Sequence, residues 1–522
     1  MTKTIKIDNF IGGEGLNLSK KYFELENEFF EDFKVEIANS SSLDISIAIS
    51  NAKKSFEECQ NIKISERINI IKKVSNSIKF TDDEILNIVK IIGMPKKYIY
   101  LQIKQIKEIF TEFPKLILDK YGFKYNEIGI DFLENKNTHK IEFRIPKKGF
   151  VYAITPGNDL RITAIIIMIL VLLGIPCIIK PSKKDCIIPN KLIEKVVEYG
   201  YPKNGISTIY FDSEKSESKV KNFKICDEAS IIWVFGDENT VDNLLRLEKH
   251  KVIDVEKLEQ DNFLKNIQLD VNKLNNSLQN YVSEQIIDHF NSKIILRHGS
   301  GRCSGVLDEN YDLESATKMI LKSSLTYPIG CNSMKSLYIV GSSYEKMVKI
   351  LEKEFKNLDK KTSTPINNRT EIGYIDEKTI NFLEKRLKEL ETMGLIKIIH
   401  GGKKINKTQM TPLLISTNDL NSELLINEIS AYLLCIIKVN SFEEAILQIN
   451  SITKNNPKLA VSYFTNNFKH AKMYVNAHHI KINSPTIDID GIIHEGNDYI
   501  NQLTRPYIVQ INKNFKNPYR DV

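Results

Sequence analysis

The sequence lacks the features that mark several large classes of protein. It has one Trp and no C-x-x-C spacing, and its seven cysteines are an odd number at irregular intervals. That pattern argues against a disulfide framework and a zinc site, and it points to reduced thiols, no metal and a cytoplasmic setting. The opening Met-Thr-Lys-Thr-Ile-Lys-Ile-Asp carries no signal-peptide core. There is no basic arm: the net charge of +7 comes from lysines interleaved with glutamates, so no nucleic-acid partner is expected. One run, Ile162 to Ile179, is apolar enough to raise a membrane span, but Gly174 and Pro176 break it. It reads as a buried helix and strand, shorter than the roughly 20 residues a spanning helix needs.

What is present is an ordinary globular composition. At 522 residues, with 42% hydrophobic and 27% charged, the chain should form two or three domains. Ile45, Ala48, Ile49, Ala52 and Phe56 recur at helical spacing after a polar opening. A second helix is expected from Ser65 as N-cap, with Glu66 in its first turn, and further helical patterns cover about residues 83 to 118. Ile141 to Ile145 reads as a strand ending at Pro146.

From Phe150 the rhythm changes. Phe150 to Ile154 is a strand candidate, Thr155-Pro156-Gly157-Asn158 a turn, and a long apolar helix runs on to Leu173, where Gly174 closes it. Strands are then expected at Ile175 to Ile179, Ile206 to Phe211 and Ser230 to Phe235, with a helix at Lys191 to Tyr199. Such alternation predicts a parallel, doubly wound sheet with ligands at the carboxyl ends of its strands. Those ends carry Thr155 to Asn158, Lys180-Pro181-Ser182 and Phe235-Gly236. Residues 240 to 290 are polar and helix-prone.

The second half repeats the pattern. A strand at Lys293 to Leu296 leads into His298-Gly299-Ser300-Gly301-Arg302. A helical segment, Leu313 to Leu325, stops at Pro328 and Gly330, then Cys331 precedes the apolar run Ser336 to Val340. A thiol there can sit near backbone N–H groups that favour a thiolate and hold an oxyanion. By itself the segment serves equally for a core cysteine. Tyr344, Met347, Val348, Leu351 and Phe355 form an amphipathic stripe, Glu377 to Met393 a further helix, and Leu395 to Ile399, Leu433 to Val439, Val461 to Phe464 and Ile480 to Ile482 the remaining inner strands. Tyr507 to Ile511 reads as an edge strand that pairs with another subunit.

Four blocks, in order, resemble the aldehyde dehydrogenase superfamily over most of the chain. Ile154-Thr155-Pro156-Gly157-Asn158 and Ile178-Ile179-Lys180-Pro181-Ser182 are similar to its Thr-Pro-Trp-Asn and Lys-Pro-Ser-Glu segments, and Gly330-Cys331 to its nucleophile segment. Asn427-Glu428-Ile429 with Ser441-Phe442-Glu443-Glu444-Ala445, and Ala460 to Thr465 leading to Ile482-Asn483, complete the set. The resemblance implies Cys331 as nucleophile, with Asn158 and the Cys331 N–H around the oxyanion. It implies that Lys180 and Glu428 bind cofactor ribose hydroxyls and that Thr155, Pro156, Ser182, Phe235 and Gly236 line the cofactor groove.

The departures matter as much. In hydrolytic members a glutamate of a Glu-Leu-Gly-Gly-Lys block activates the deacylating water. Counting back from Cys331 puts Arg297 in that slot, and a one-residue shift puts His298 there. His298 is therefore the candidate base. Without the glutamate, coenzyme A is the more natural acyl acceptor, and Ile482 to Thr486 resembles a segment of the CoA-acylating branch. Lys183 replaces the usual glutamate after Lys-Pro-Ser, which leaves room for the 2′-phosphate of NADP as well as for NAD.

The fold implied is α/β and aldehyde dehydrogenase-like: two doubly wound α/β domains plus a small β oligomerisation extension. The expected boundaries are 1–120 and 146–292 for the NAD(P)-binding domain, 293–482 for the catalytic domain, and 121–145 with 483–522 for the extension. The expected activity is reversible acyl-thioester reduction or acylating aldehyde oxidation by a homodimer or homotetramer, on a small aldehyde or acyl-thioester. Hydrolytic oxidation of an aldehyde to a carboxylate, and a catalytically degenerate structural protein, are the alternatives.

Overall fold

The computed structural model describes residues 3–25, 27–124, 127–135, 138–215, 217–236, 293–298, 301–453, 457–488, 493–494 and 497–512. The polar stretch 240–290 and the Gly299-Ser300 turn lie outside them.

The first large sheet is built around Val151–Ile154, which is parallel to Cys177–Lys180 on one side and to Ile231–Phe235 on the other. Ile206–Thr208 extends the sheet beyond Cys177–Lys180, and Asn9–Ile11 and Glu14–Leu16 close that edge antiparallel. Because the strand order reverses at Val151–Ile154, the loops after its carboxyl end and those of its two neighbours face a common crevice. The helix Leu160–Leu173 follows this central strand. It is apolar around almost its whole circumference, as a helix enclosed by protein must be. Asp159 caps its start by accepting from Arg161 N at 3.0 Å, and Gly174, at φ 66°, ends it in the left-handed region. The Arg67 guanidinium donates to Leu172 O at 2.8 Å, placing a cation at the helix's negative end. Among the described residues, no helix is long and apolar enough to cross a membrane.

The second sheet runs Ile396–His400, Leu413–Thr417, Leu433–Val439, Met334–Val340, Cys303–Leu307, Lys458–Phe464, Ala477–Ile482, all parallel except the first. A third, antiparallel sheet joins Thr504–Asn512, Thr138–Pro146, Glu127–Asn135 and Phe123–Lys124.

Several expectations change here. Ile294–His298, placed by the boundary at 293 with the second unit, hydrogen-bonds along Ile231–Phe235 and belongs to the first sheet. The tail strand lies on the edge of a sheet of its own chain, paired on one side with Thr138–Pro146, so the expected contact with another subunit concerns its other side. The opening residues, read as merely polar, hold the strands Lys3–Ile7, Tyr22–Leu25 and Phe33–Ala38. Helix Ile64–Ser77 begins one residue before Ser65, so Lys63 occupies the N-cap position.

Candidate active site

Cys331 sits in a tight turn at the amino end of Met334–Val340, closed by Ser333 N donating to Gly330 O at 3.0 Å. A preceding turn, in which Gly330 N donates to Tyr327 O at 2.9 Å, brings the chain out of the helix Leu313–Leu325. Cys331 is the one cysteine of the seven that is not fully buried. Its side chain lies against Cys303, Leu459 and Ala460. Gly301 abuts it so closely that a Cβ there would fall 1.5 Å from Cys331 O. A side chain at position 301 would push the turn away.

From the first sheet, the Asn158 amide donates to Ile329 O at 2.7 Å. An amide nitrogen carries two N–H donors, so this bond leaves a second for a group bound at the thiol. From the opposite side, Glu428 Oε2 accepts from Gly301 N at 3.1 Å. Three of the predicted residues, Cys331, Asn158 and Glu428, thus meet around the same turn.

The strand-end loops that would hold a dinucleotide are stitched together by their backbones. Thr155 N donates to Lys180 O and Ser182 N to Thr155 O, each at 3.1 Å. A Cβ on Gly157 would lie 2.4 Å from Ser182 Oγ, so only glycine lets Pro156 and Asn158 approach this loop. The Lys180 ammonium lies 5.0 Å over the Phe211 ring, and burial pushes its pKa down to about 8. It makes no hydrogen bond among the described residues. A buried, unspent donor at the switch point fits a ribose hydroxyl. Lys183 pairs with Glu214 at 2.6 Å in a partly exposed ion pair. Gly236 N donates to His298 O at 3.1 Å, and Phe235 is buried with its ring stacked on His298 at 4.2 Å.

His298 departs from its expected role. It is 1% exposed, packed between Phe235 and Tyr499, with Nε2 3.3 Å from Tyr499 OH. Burial, aided by His478, drives its pKa down to about 3. Such a group is a neutral core imidazole and too weak a base for work near neutrality.

Two cations that the sequence reading passed over also meet at the turn. Arg161 is buried, bonded through Nε and Nη2 to Asp159 at 2.8 and 2.5 Å, and lies 4.8 Å over the Tyr327 ring. Lys335 is buried and donates to Pro328 O at 2.6 Å and Ala431 O at 2.7 Å, joining the Cys331 turn to the Glu428 segment. Burial pulls the Lys335 pKa down to about 7 against the opposing pull of Glu428. A charge inside each apolar run was the available signal for both.

Two doubly wound sheets with a cysteine turn between them define a class of α/β oxidoreductase fold, and comparison with known proteins narrows it. A family model described as the aldehyde dehydrogenase family matches residues 17–225 and 276–497. The chain belongs to the aldehyde dehydrogenase family. Among solved structures it resembles a putative aldehyde dehydrogenase from Bacillus subtilis subsp. subtilis str. 168 (16% identity, TM-score 0.72, 97% of this chain and 98% of that one). It also resembles an NADP-dependent glyceraldehyde-3-phosphate dehydrogenase from Bacillus halodurans C-125 complexed with NADP (16% identity, TM-score 0.75, 97% and 99%). A shorter similarity, 38% identity over 58 residues, links it to gamma-glutamyl phosphate reductase of Saccharomyces cerevisiae, covering 11% of this chain and 12% of that protein.

Proposed function

We propose that this chain is an NAD(P)(H)-dependent enzyme that exchanges hydride with an acyl group carried on Cys331, reducing an activated acyl donor or, in reverse, acylating coenzyme A from an aldehyde. The observation that carries the reading is the departure at the expected water-activating glutamate: counting back from Cys331 meets Arg297 and His298 in that slot of the sequence, and His298 is buried.

In the reductive direction the Cys331 sulfur attacks the acyl carbonyl. The C–S bond forms, the donor leaves as a thiolate, and the acyl group remains as a thioester on Cys331. The Asn158 amide and the Cys331 N–H face the oxygen that becomes negative. Lys180 and Glu428 bind ribose hydroxyls, Thr155, Pro156, Ser182 and Gly236 line the groove, and Lys183 meets a 2′-phosphate when NADP is used. When bound, the reduced nicotinamide supplies the hydride. The hydride converts the thioester to a thiohemiacetal anion, which collapses to the aldehyde and returns the electron pair to Cys331 sulfur. The similarity to a reductase named for an acyl phosphate supports the reductive direction and adds acyl phosphates to the candidate donors. Tyr507 and Ile508 are exposed on the outer strand of the third sheet, the surface we assign to pairing between copies.

Intact mass spectrometry after addition of acyl-CoAs of several lengths, and of an acyl phosphate, tests the reading. An acyl adduct that vanishes in Cys331→Ser supports it. Carboxylate formation from aldehyde and NAD(P) with no thiol present would replace it with hydrolytic oxidation.

A further inference from the structure

The Cys331 turn and the Glu428 segment feed two neighbouring parallel strands, Met334–Val340 and Leu433–Val439. The ladder between those strands begins at Ser336 and Cys435, so it does not reach the loops that carry Cys331 and Glu428. Lys335, the second residue of its strand, supplies a cross-link where the ladder has ended. An ammonium has three donors. One goes to Pro328 O at 2.6 Å, three residues ahead of Cys331, and one to Ala431 O at 2.7 Å, three residues after Glu428. The side chain is 4% exposed, so water does not compete for either carbonyl. A second tie runs from Glu428 Oε2 to Gly301 N, and Gly301 abuts Cys331 O. That tie uses the carboxylate a bound dinucleotide would share. The Lys335 tie does not.

We propose that Lys335 is a positioning residue for hydride transfer: its ammonium holds the Cys331 turn and the Glu428 segment at one fixed spacing, and so registers an acyl group on the thiol against a dinucleotide on the carboxylate. This rests on the reading of Cys331 as nucleophile and of Glu428 as a ribose ligand. Attack of the thiol on an acyl donor involves the Cys331 turn alone. Delivery of hydride and its electron pair to the acyl carbon involves both segments. Loss of the cross-link therefore acts on the second half-reaction and spares the first.

The test separates the two in the full chain, with Lys335→Met compared with wild type after circular dichroism has shown it folded. Lys335→Gln, which keeps an N–H donor for one carbonyl, carries the test if the methionine variant does not fold. Acylation of Cys331 by an acyl-CoA, followed by intact mass with no dinucleotide present, should keep its wild-type rate. The calorimetric Kd for NAD(P)H should stay near wild type as well. Single-turnover oxidation of NAD(P)H by the acylated chain should slow about a hundredfold, the scale of a misplacement of ~1 Å between reacting groups. Lys335→Arg, which keeps a cation with donors for both carbonyls, should recover part of that loss. Equal losses in acylation and hydride transfer, or no loss in either, overturn the positioning role. The absence of any acyl adduct in wild type overturns the nucleophile reading instead, and an unchanged dinucleotide Kd in Glu428→Gln overturns the ribose reading.

Discussion

Asn158 donates to the carbonyl of Ile329, two residues ahead of Cys331, across 171 positions of sequence. The bond ties the central strand-end loop of the first sheet to the Cys331 turn of the second. Replacing Asn158 with Ala should lower kcat by about a hundredfold to a thousandfold, the scale of one lost oxyanion donor. Steady-state rates with cofactor in excess check this, and Cys331 should still be acylated.

Lys335 bridges Pro328 and Ala431, so Lys335→Met leaves two buried carbonyls without their donor, at about 1–3 kcal/mol each. Its folded pKa of about 7 lies below its ordinary value of 10.5. Between those values the unfolded chain holds the extra proton, so this group's contribution to stability rises with pH and is smallest below 7. The difference in denaturant midpoint between wild type and Lys335→Met should therefore be larger at pH 9 than at pH 6.

His298, neutral in the folded chain down to about pH 3, favours the native state above its unfolded value of 6.5. As pH falls from 6.5 toward 3 the unfolded chain takes up the proton first, and stability drains away. His298→Phe should lose that slope in acid denaturation while keeping kcat. A large fall in kcat in the folded variant would restore His298 to the chemistry.

In the proposed site the Lys183–Glu214 pair, with side chains 38% and 73% exposed, would compete with a 2′-phosphate for the same cation. Glu214→Gln should tighten NADP(H) relative to NAD(H) by a few-fold, in keeping with the roughly 0.2–1 kcal/mol of an exposed pair. Lys183→Glu should reverse the preference. Calorimetric Kd ratios for the two dinucleotides decide it.

The strand and helix rhythm from Phe150 to Phe235 was legible because periodicity is local: Val151–Ile154, Leu160–Leu173, Cys177–Lys180 and Ile231–Phe235 lie within a few residues of where the apolar runs placed them. The antiparallel hydrogen bonds of the tail were not legible. The alternation of an edge strand does not name the strand beside it, which here is Thr138–Pro146 of the same chain. His298 was misread for a related reason. It was reached by counting back from Cys331, and spacing along the chain says nothing of burial, whereas the sheet packs it against Phe235 and Tyr499.

By itself, then, the sequence determined the alternation of elements, the cysteine at a helix-to-strand junction, and the glycine that must end Leu160–Leu173, since each depends on side-chain period or backbone freedom over a few residues. Only the tertiary structure decided what surrounds that cysteine. Arg161 and Lys335 are single charges in apolar runs until distant segments supply Gln105, Tyr327, Pro328 and Ala431 as their partners. A buried charge gains its meaning from the groups that compensate it, and in this chain most of those groups arrive from elsewhere in the fold.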